Sequence, residues 1–221
     1  MNQGQTRVFA LLLLLAPAAH ARVVDVHAEI RVAKNGELTV TERITYDARR
    51  KAAPPVRELP STARVAEVIR DGHPASYVMD GTNLRLNAPV SEGRHLYQIT
   101  YRSARRITHL GDHDALHWSA KDSERITAEV ILPGGVPARE IKAEGKGVEY
   151  QSFVREGRAA FRARDYMSIV VRFPKGVVVE PTLFGRAVWF LEDVAGLLVV
   201  CMGLGLTALL LARMKSLSHV T

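Results

Sequence analysis

Residues 194–212, bounded by Val194 and Ala212, carry no charge, and this stretch constrains the 221-residue chain more than any other. A helix needs about 20 apolar residues to cross a bilayer, at a rise of about 1.5 Å each. A soluble helix of that length keeps a polar face, and this stretch has none. The expectation is a transmembrane helix over 194–212. Glu192 and Asp193 precede it, while Arg213 and Lys215 follow it. Basic residues stay on the cytoplasmic side, so 213–221 reads as a cytoplasmic tail and the bulk of the chain as extracytoplasmic. Trp189 and Phe190 suit the outer interfacial belt. Gly196 and Gly203 fall near one helical face with Thr207, where small residues would allow self-association.

The N-terminus agrees with export. Arg7 precedes a short apolar run with leucine at every position from Leu11 to Leu15, followed by Pro17 and Ala19-His20-Ala21. A basic start, a short apolar core and an A-x-A end make a signal peptide over 1–21, cut after Ala21. Cys201 is the one cysteine and lies within the expected span, so the exported part is held by its core rather than by disulfides. The net charge of +7 would otherwise suggest nucleic acid. In an exported domain it points to a solvated surface or to anionic envelope groups, with no nucleic acid as partner.

Residues 22–176 read as the exported domain, and runs within it alternate with a period of two. Val24, Val26, Ala28, Ile30 and Val32 share one face, and after Lys34-Asn35-Gly36 so do Leu38, Val40, Ile44 and Tyr46. The two runs read as a hairpin. A two-residue loop would set Ile30 and Val32 against threonines, which register avoids. A three-residue loop pairs Val32 with Leu38, Ile30 with Val40 and Val26 with Ile44, and puts glycine at the left-handed position. Glu42 then sits on the apolar face opposite Ala28. A carboxylate there is costly unless satisfied: the strand end is open to water, or an arginine pairs with it, with a catalytic role as a third reading.

Residues 51–60, with Pro54-Pro55 and Arg57-Glu58-Leu59-Pro60, read as a crossing loop. Further strands are expected at 65–69, 76–79 and 84–86. Gly93 opens another, with His95, Tyr97, Ile99 and Tyr101 on one face. Residues 119–124 are a short polar segment before a strand at 126–132. Gly145-Lys146-Gly147 reads as a turn, 148–154 and 158–163 as a hairpin, and 167–173 as the last strand. Short strands separated by turn signals suggest an antiparallel β-sandwich. Residues 177–193 form a juxtamembrane connector, with a helix starting near Leu183.

Several pieces occur together in a fixed order: Gly36-x-Leu38-x-Val40-x-Glu42, Arg57-Glu58-Leu59-Pro60, Asp71-Gly72, Gly93-x-His95-x-Tyr97-x-Ile99-x-Tyr101 and Asp114-Ala115-Leu116-His117-Trp118. With a signal peptide before them and a span after, the chain resembles the YciQ-like family of bacterial predicted membrane proteins over residues 24–173. The resemblance implies an exported domain of unknown function and brings no catalytic residues. Family members continue into further membrane helices, whereas nine residues follow Ala212 here.

His109, His113 and His117 recur every four residues, with Asp112 and Asp114 between them. On a helix they would share a face, as metal ligands do. Gly111 and the neighbouring strands favour a polar loop, with Trp118 packed as an anchor. There is no G-x-S-x-G, H-E-x-x-H or P-loop. Ser119-x-Lys121 is a weak Ser/Lys pair, and Arg102, Arg105 and Arg106 form a basic cluster whose options are a solvated face or anionic head groups. The reading is a bacterial inner-membrane, single-pass protein: non-enzymatic, without a cofactor, presenting its β domain to an unknown envelope or membrane protein. The alternative is a periplasmic metal- or ligand-binding sensor that uses residues 109–117.

Overall fold

The computed structural model describes residues 21–49, 51–53, 55–87, 89–134, 136–155, 157–185, 187–191, 194 and 202–204. Twelve strands are present among them: β1 (Ala21–Val32), β2 (Leu38–Ala48), β3 (Val56–Glu58), β4 (Ala63–Arg70), β5 (His73–Pro74), β6 (Tyr77–Asp80), β7 (Asn83–Leu86), β8 (Gly93–Ser103), β9 (Ile107–His109), β10 (His113–Ile131), β11 (Lys142–Arg155) and β12 (Arg158–Pro174). They form two sheets. One follows the order β11-β12-β10-β1-β2-β8-β4-β5, with β9 also on β10; the other is β3-β7-β6.

The first hairpin takes the expected register, with Val32 opposite Leu38, Ile30 opposite Val40, Ala28 opposite Glu42 and Val26 opposite Ile44. Ala33 N–H donates to Glu37 at 2.9 Å and Gly36 N–H to Ala33 at 3.0 Å, closing the three-residue loop. Gly36 has φ +79°, which favours glycine, and a Cβ there would stand a tight 3.2 Å from the Val178 side chain.

The antiparallel expectation fails at one seam. β1 and β10 run parallel, with Val26 opposite Ile126 and Ile30 opposite Val130. Alternation of apolar residues carries no strand direction, so the sequence pattern is blind to this pairing. The seam joins the N-terminal and C-terminal halves of the domain inside one sheet.

A second departure shapes the site. Residues 119–124 are no linker but the middle of β10, and the two strands expected at 158–163 and 167–173 are the single strand β12. Between Lys121 and Ile126 the β10–β12 register shifts, and Ser123 faces Asp165. Asp122 (φ +63°) and Asp165 (φ +58°) hold left-handed backbone there, a conformation that aspartate tolerates. Bulges of this kind let one strand turn a corner and serve two layers. Beyond the corner, the 113–120 half of β10 pairs with β9 and β12 and no longer with β1. The glycines at 145–147 likewise make no turn; they lie within β11, where its register against β12 shifts.

The corner folds the large sheet over itself. β8 lies three places from β10 in sheet order, a separation of about 14 Å in a flat sheet. Yet Trp118 of β10 and Tyr101 of β8 line one cleft. Residues 51–60, expected as a loop, contain β3, and the small sheet adds Leu84 and Leu86 to the core. Ile30, Leu116, Ile126, Met167 and Val171 are fully enclosed in the same apolar cluster.

This compact unit extends to Val178, which is buried, and residues from Val179 onward belong to a second unit. In that unit residues 183–185, 187–191, 194 and 202–204 are helical, with Leu183, Phe184, Phe190, Met202 and Leu204 exposed. Among the described residues no helix is long and apolar enough to cross a membrane. Most of the expected span, including Gly196, Cys201 and Ala212, lies outside the described residues, as do residues 1–20 of the expected signal peptide and the tail at 213–221. Ala21 is the first residue of β1, opposite Ala48. Gly203 has open space where a Cβ would project.

Candidate functional site: a cleft over a buried carboxylate

Alternation along β2 places Glu42 on the inward face between Val40 and Ile44, and only 1% of it is exposed. Its two oxygens are each engaged. Arg57 donates from Nε to Oε2 at 2.7 Å, and the Tyr101 hydroxyl donates to Oε1 at 2.9 Å. Tyr101 sits opposite Val40 on β8, diagonal to Glu42, within reach for a long side chain. Arg57 arrives from β3 of the small sheet. Trp118, from the folded-over half of β10, lines the same cleft beside Tyr101 and Glu42. The Arg57–Glu42–Tyr101 bonds therefore tie the small sheet to the large one.

Low solvation makes these contacts consequential. Burial disfavours the Arg57 cation, but the Glu42 charge and hydrogen bond outweigh it and hold the guanidinium above its ordinary range. Burial pushes the Tyr101 phenol well up, and the neighbouring Glu42 charge pushes further. Burial also raises Tyr46 to about 12, with Arg57 pulling the other way. Of the readings open for Glu42, the arginine pair is the one present. A carboxylate with both oxygens engaged is a structural acceptor rather than a free base.

Above the network lies a cleft of about 270 Å³. Glu42, Arg57, Tyr101 and Trp118 line its floor, and Arg106, Ser119, Lys121 and Tyr166 also face it. Lys121 pairs with Glu58 at 3.5 Å, both side chains more than 60% exposed. These two residues and Arg57 also border a neighbouring pocket of about 220 Å³ near Tyr46 and Asn83. The Lys121–Glu58 pair is therefore a strap between two cavities.

The other expected residues disperse. His109 and His113 stand on a β9–β10 hairpin edge rather than a helix. His109 Nδ1 bonds Asp114 at 2.9 Å, His113 Nδ1 bonds Asp112 at 2.6 Å, and His117 is exposed on β10. His117 lies four strand positions beyond His113, about 13 Å. Among the described residues no three His, Cys, Asp or Glu side chains converge as a metal cage requires. Asp114, fully buried, also accepts from Lys175 Nζ at 2.8 Å. His95 is held between Asp71 Oδ2 (2.7 Å) and Ser91 Oγ (3.0 Å). Ser119 and Lys121 do share the cleft, and Arg106 joins them, whereas Arg102 is exposed on β8.

Sequence reasoning flagged Glu42 alone as needing a partner and missed its meeting with Arg57, Tyr101 and Trp118. A signal was nonetheless present. Four of the five stretches that carry the family resemblance each deliver one of these four side chains, and the remaining one, Asp71-Gly72, meets His95 of the stretch from Gly93 to Tyr101.

Comparison with known proteins gives one family, described as the predicted membrane protein (DUF2207) N-terminal domain, which matches residues 22–173. No curated protein matches. Among solved structures, an M1 zinc metallopeptidase from Deinococcus radiodurans aligns at 16% identity over 68% of this chain and 42% of its own, with a TM-score of 0.45. Native leukotriene A4 hydrolase from Saccharomyces cerevisiae aligns at 12% identity over 75% of this chain and 32% of its own, with a TM-score of 0.47. This chain spans less than half of either protein, and similarity at that level carries no argument about activity.

Proposed function

The chain belongs to the predicted membrane protein (DUF2207) family through its N-terminal domain, and from that premise we propose that it is an envelope-anchored binding module. In this reading a signal peptide ending at Ala21 exports the β domain. A single helix over 194–212 anchors it in the bacterial inner membrane, and the C-terminus stays cytoplasmic. The uncharged stretch and its flanking charges support the anchor, as do the exposed apolar side chains of the described helical residues. The domain is a non-enzymatic platform that docks another envelope protein.

One observation carries the binding role. Four of the five stretches that mark the family meet at one open cleft, where both oxygens of Glu42 are held by fixed partners. Pre-organised polar groups under a concave surface favour recognition, since little ordering cost remains at binding. The sensor alternative draws less support, because His109 and His113 are each engaged by a separate carboxylate.

In-cell photocrosslinking of the full-length protein tests the reading. A crosslinker at position 119 in the cleft is expected to capture an envelope protein that a crosslinker at exposed position 31 on β1 does not. Adducts that are identical from both positions, or capture from 119 of a cytoplasmic protein only, would sink it.

A further inference from the structure

The cleft's charges and walls say what kind of group it suits. Three cations, Arg57, Arg106 and Lys121, face two carboxylates, Glu42 and Glu58, so the lining carries one net positive charge. Glu42 uses only the Nε of Arg57, which leaves the two terminal amino groups of that planar fork outside the bond. Such a fork matches the two oxygens of a carboxylate. Among the described residues the Arg106 side chain makes one long contact, to the His117 carbonyl, 3.5 Å from Nη2. The Lys121–Glu58 strap is exposed at both ends, and pairs of that kind contribute little, so an incoming anion can take Glu58's place on Lys121. Leu59, Pro60 and Tyr166 add apolar and aromatic surface beside these charges.

We infer that the cleft binds one carboxylate of an acidic polypeptide segment, seated on the Arg57 fork between Arg106 and Lys121, with an adjacent apolar side chain against Leu59 and Pro60. This rests on the reading of the cleft as a partner-docking surface. A monoanion balances the single excess charge, whereas a phosphate dianion overshoots it and meets Glu58 at the rim. Glu58 is then a built-in competitor: it holds Lys121 in the empty cleft and is displaced on binding.

The test is calorimetric titration of the full-length protein in detergent with a blocked leucyl-glutamate peptide, its leucyl-glutamine counterpart and inorganic phosphate. The glutamate peptide should bind saturably, and the glutamine peptide about tenfold more weakly or not at all. Lys121→Gln should weaken the glutamate peptide about tenfold, while Glu58→Gln tightens it by removing the competitor. Both residues are exposed, so unchanged melting temperatures verify the fold of each variant. Equal binding of the two peptides, no binding of either, tighter binding of phosphate, or a Glu58→Gln variant that binds more weakly each overturns the proposal. Cleft-specific crosslinking from position 119 that persists while the peptides fail to discriminate removes the carboxylate and leaves the docking role standing. Loss of that crosslinking removes the docking role itself.

Discussion

Two buried carboxylates in this domain solve the same problem differently. Glu42 and Asp114 are 1% and 0% exposed. Glu42 divides its partners, with Arg57 on one oxygen and the Tyr101 hydroxyl on the other. Asp114 loads both His109 and Lys175 onto Oδ1, and its Oδ2 is buried with no hydrogen-bond partner among the described residues. The partners of Glu42 come from β3 and β8, and Trp118 of β10 backs them. Those of Asp114 come from the adjoining hairpin strand and the residue just past β12. Glu42 therefore holds layers together, and Asp114 pins the end of one strand pair. A charge deep in the protein is tolerated only with compensation; the fuller compensation lies where the cleft needs a fixed floor.

The sharpest way to break this contrast is to leave Glu42 charged and alone. Arg57→Met should cost about 3–5 kcal/mol of stability, because removing one member strands a buried charge. Adding Glu42→Gln should restore roughly half of it. Urea denaturation of the full-length protein in detergent measures both. A single-variant loss below about 1 kcal/mol would mean that the pair is not desolvated as described.

Alkali should act on the same region next. Tyr46 is raised to about 12 by burial, and Tyr101 and Tyr97 shift the same way. A tyrosine titrates near 10 in an unfolded chain. The folded state therefore holds its protons longer, and the stabilisation is complete below pH 10. It is lost as pH rises from about 10 through 12, on the order of 2 to 3 kcal/mol for Tyr46 alone. Denaturation midpoints should thus fall across that window, and Tyr46→Phe should flatten the fall. An equally steep decline in the phenylalanine variant would refute the assignment.

The smallest effect is expected at Asp114. Asp114→Asn retains an oxygen that can accept from His109 and removes the charge facing Lys175, a change of about 1–2 kcal/mol. A loss equal to that of Arg57→Met, in the same denaturation series, would erase the distinction between the two sites.

Much of the strand pattern was legible because burial repeats every second residue within a strand. The β1–β2 register followed from Val32, Ile30 and Val26 needing apolar neighbours, and Glu42 stood out as the residue that broke the rule. Strand lengths were less legible. Asp122 and Asp165 look like strand ends in sequence, yet they sit at a corner through which β10 and β12 continue. Arg57 was hidden by the prolines before it, which mask a three-residue strand. The spacing of His109, His113 and His117 suggested a helical face that a hairpin cannot offer, since strand residues four apart are too distant to share a metal.

The sequence by itself determined which residues face inward, how the first hairpin closes, that Glu42 needs a partner, and that an uncharged stretch follows the domain. These are local properties, written in spacings of two residues or in runs of about twenty. Only the tertiary structure decided that β1 and β10 run parallel, that the large sheet folds over itself, and that Arg57, Tyr101 and Trp118 meet at Glu42. Tyr101 lies 59 residues from Glu42 along the chain. Which distant strand arrives at a given face depends on the packing of the whole core, and no local period records it.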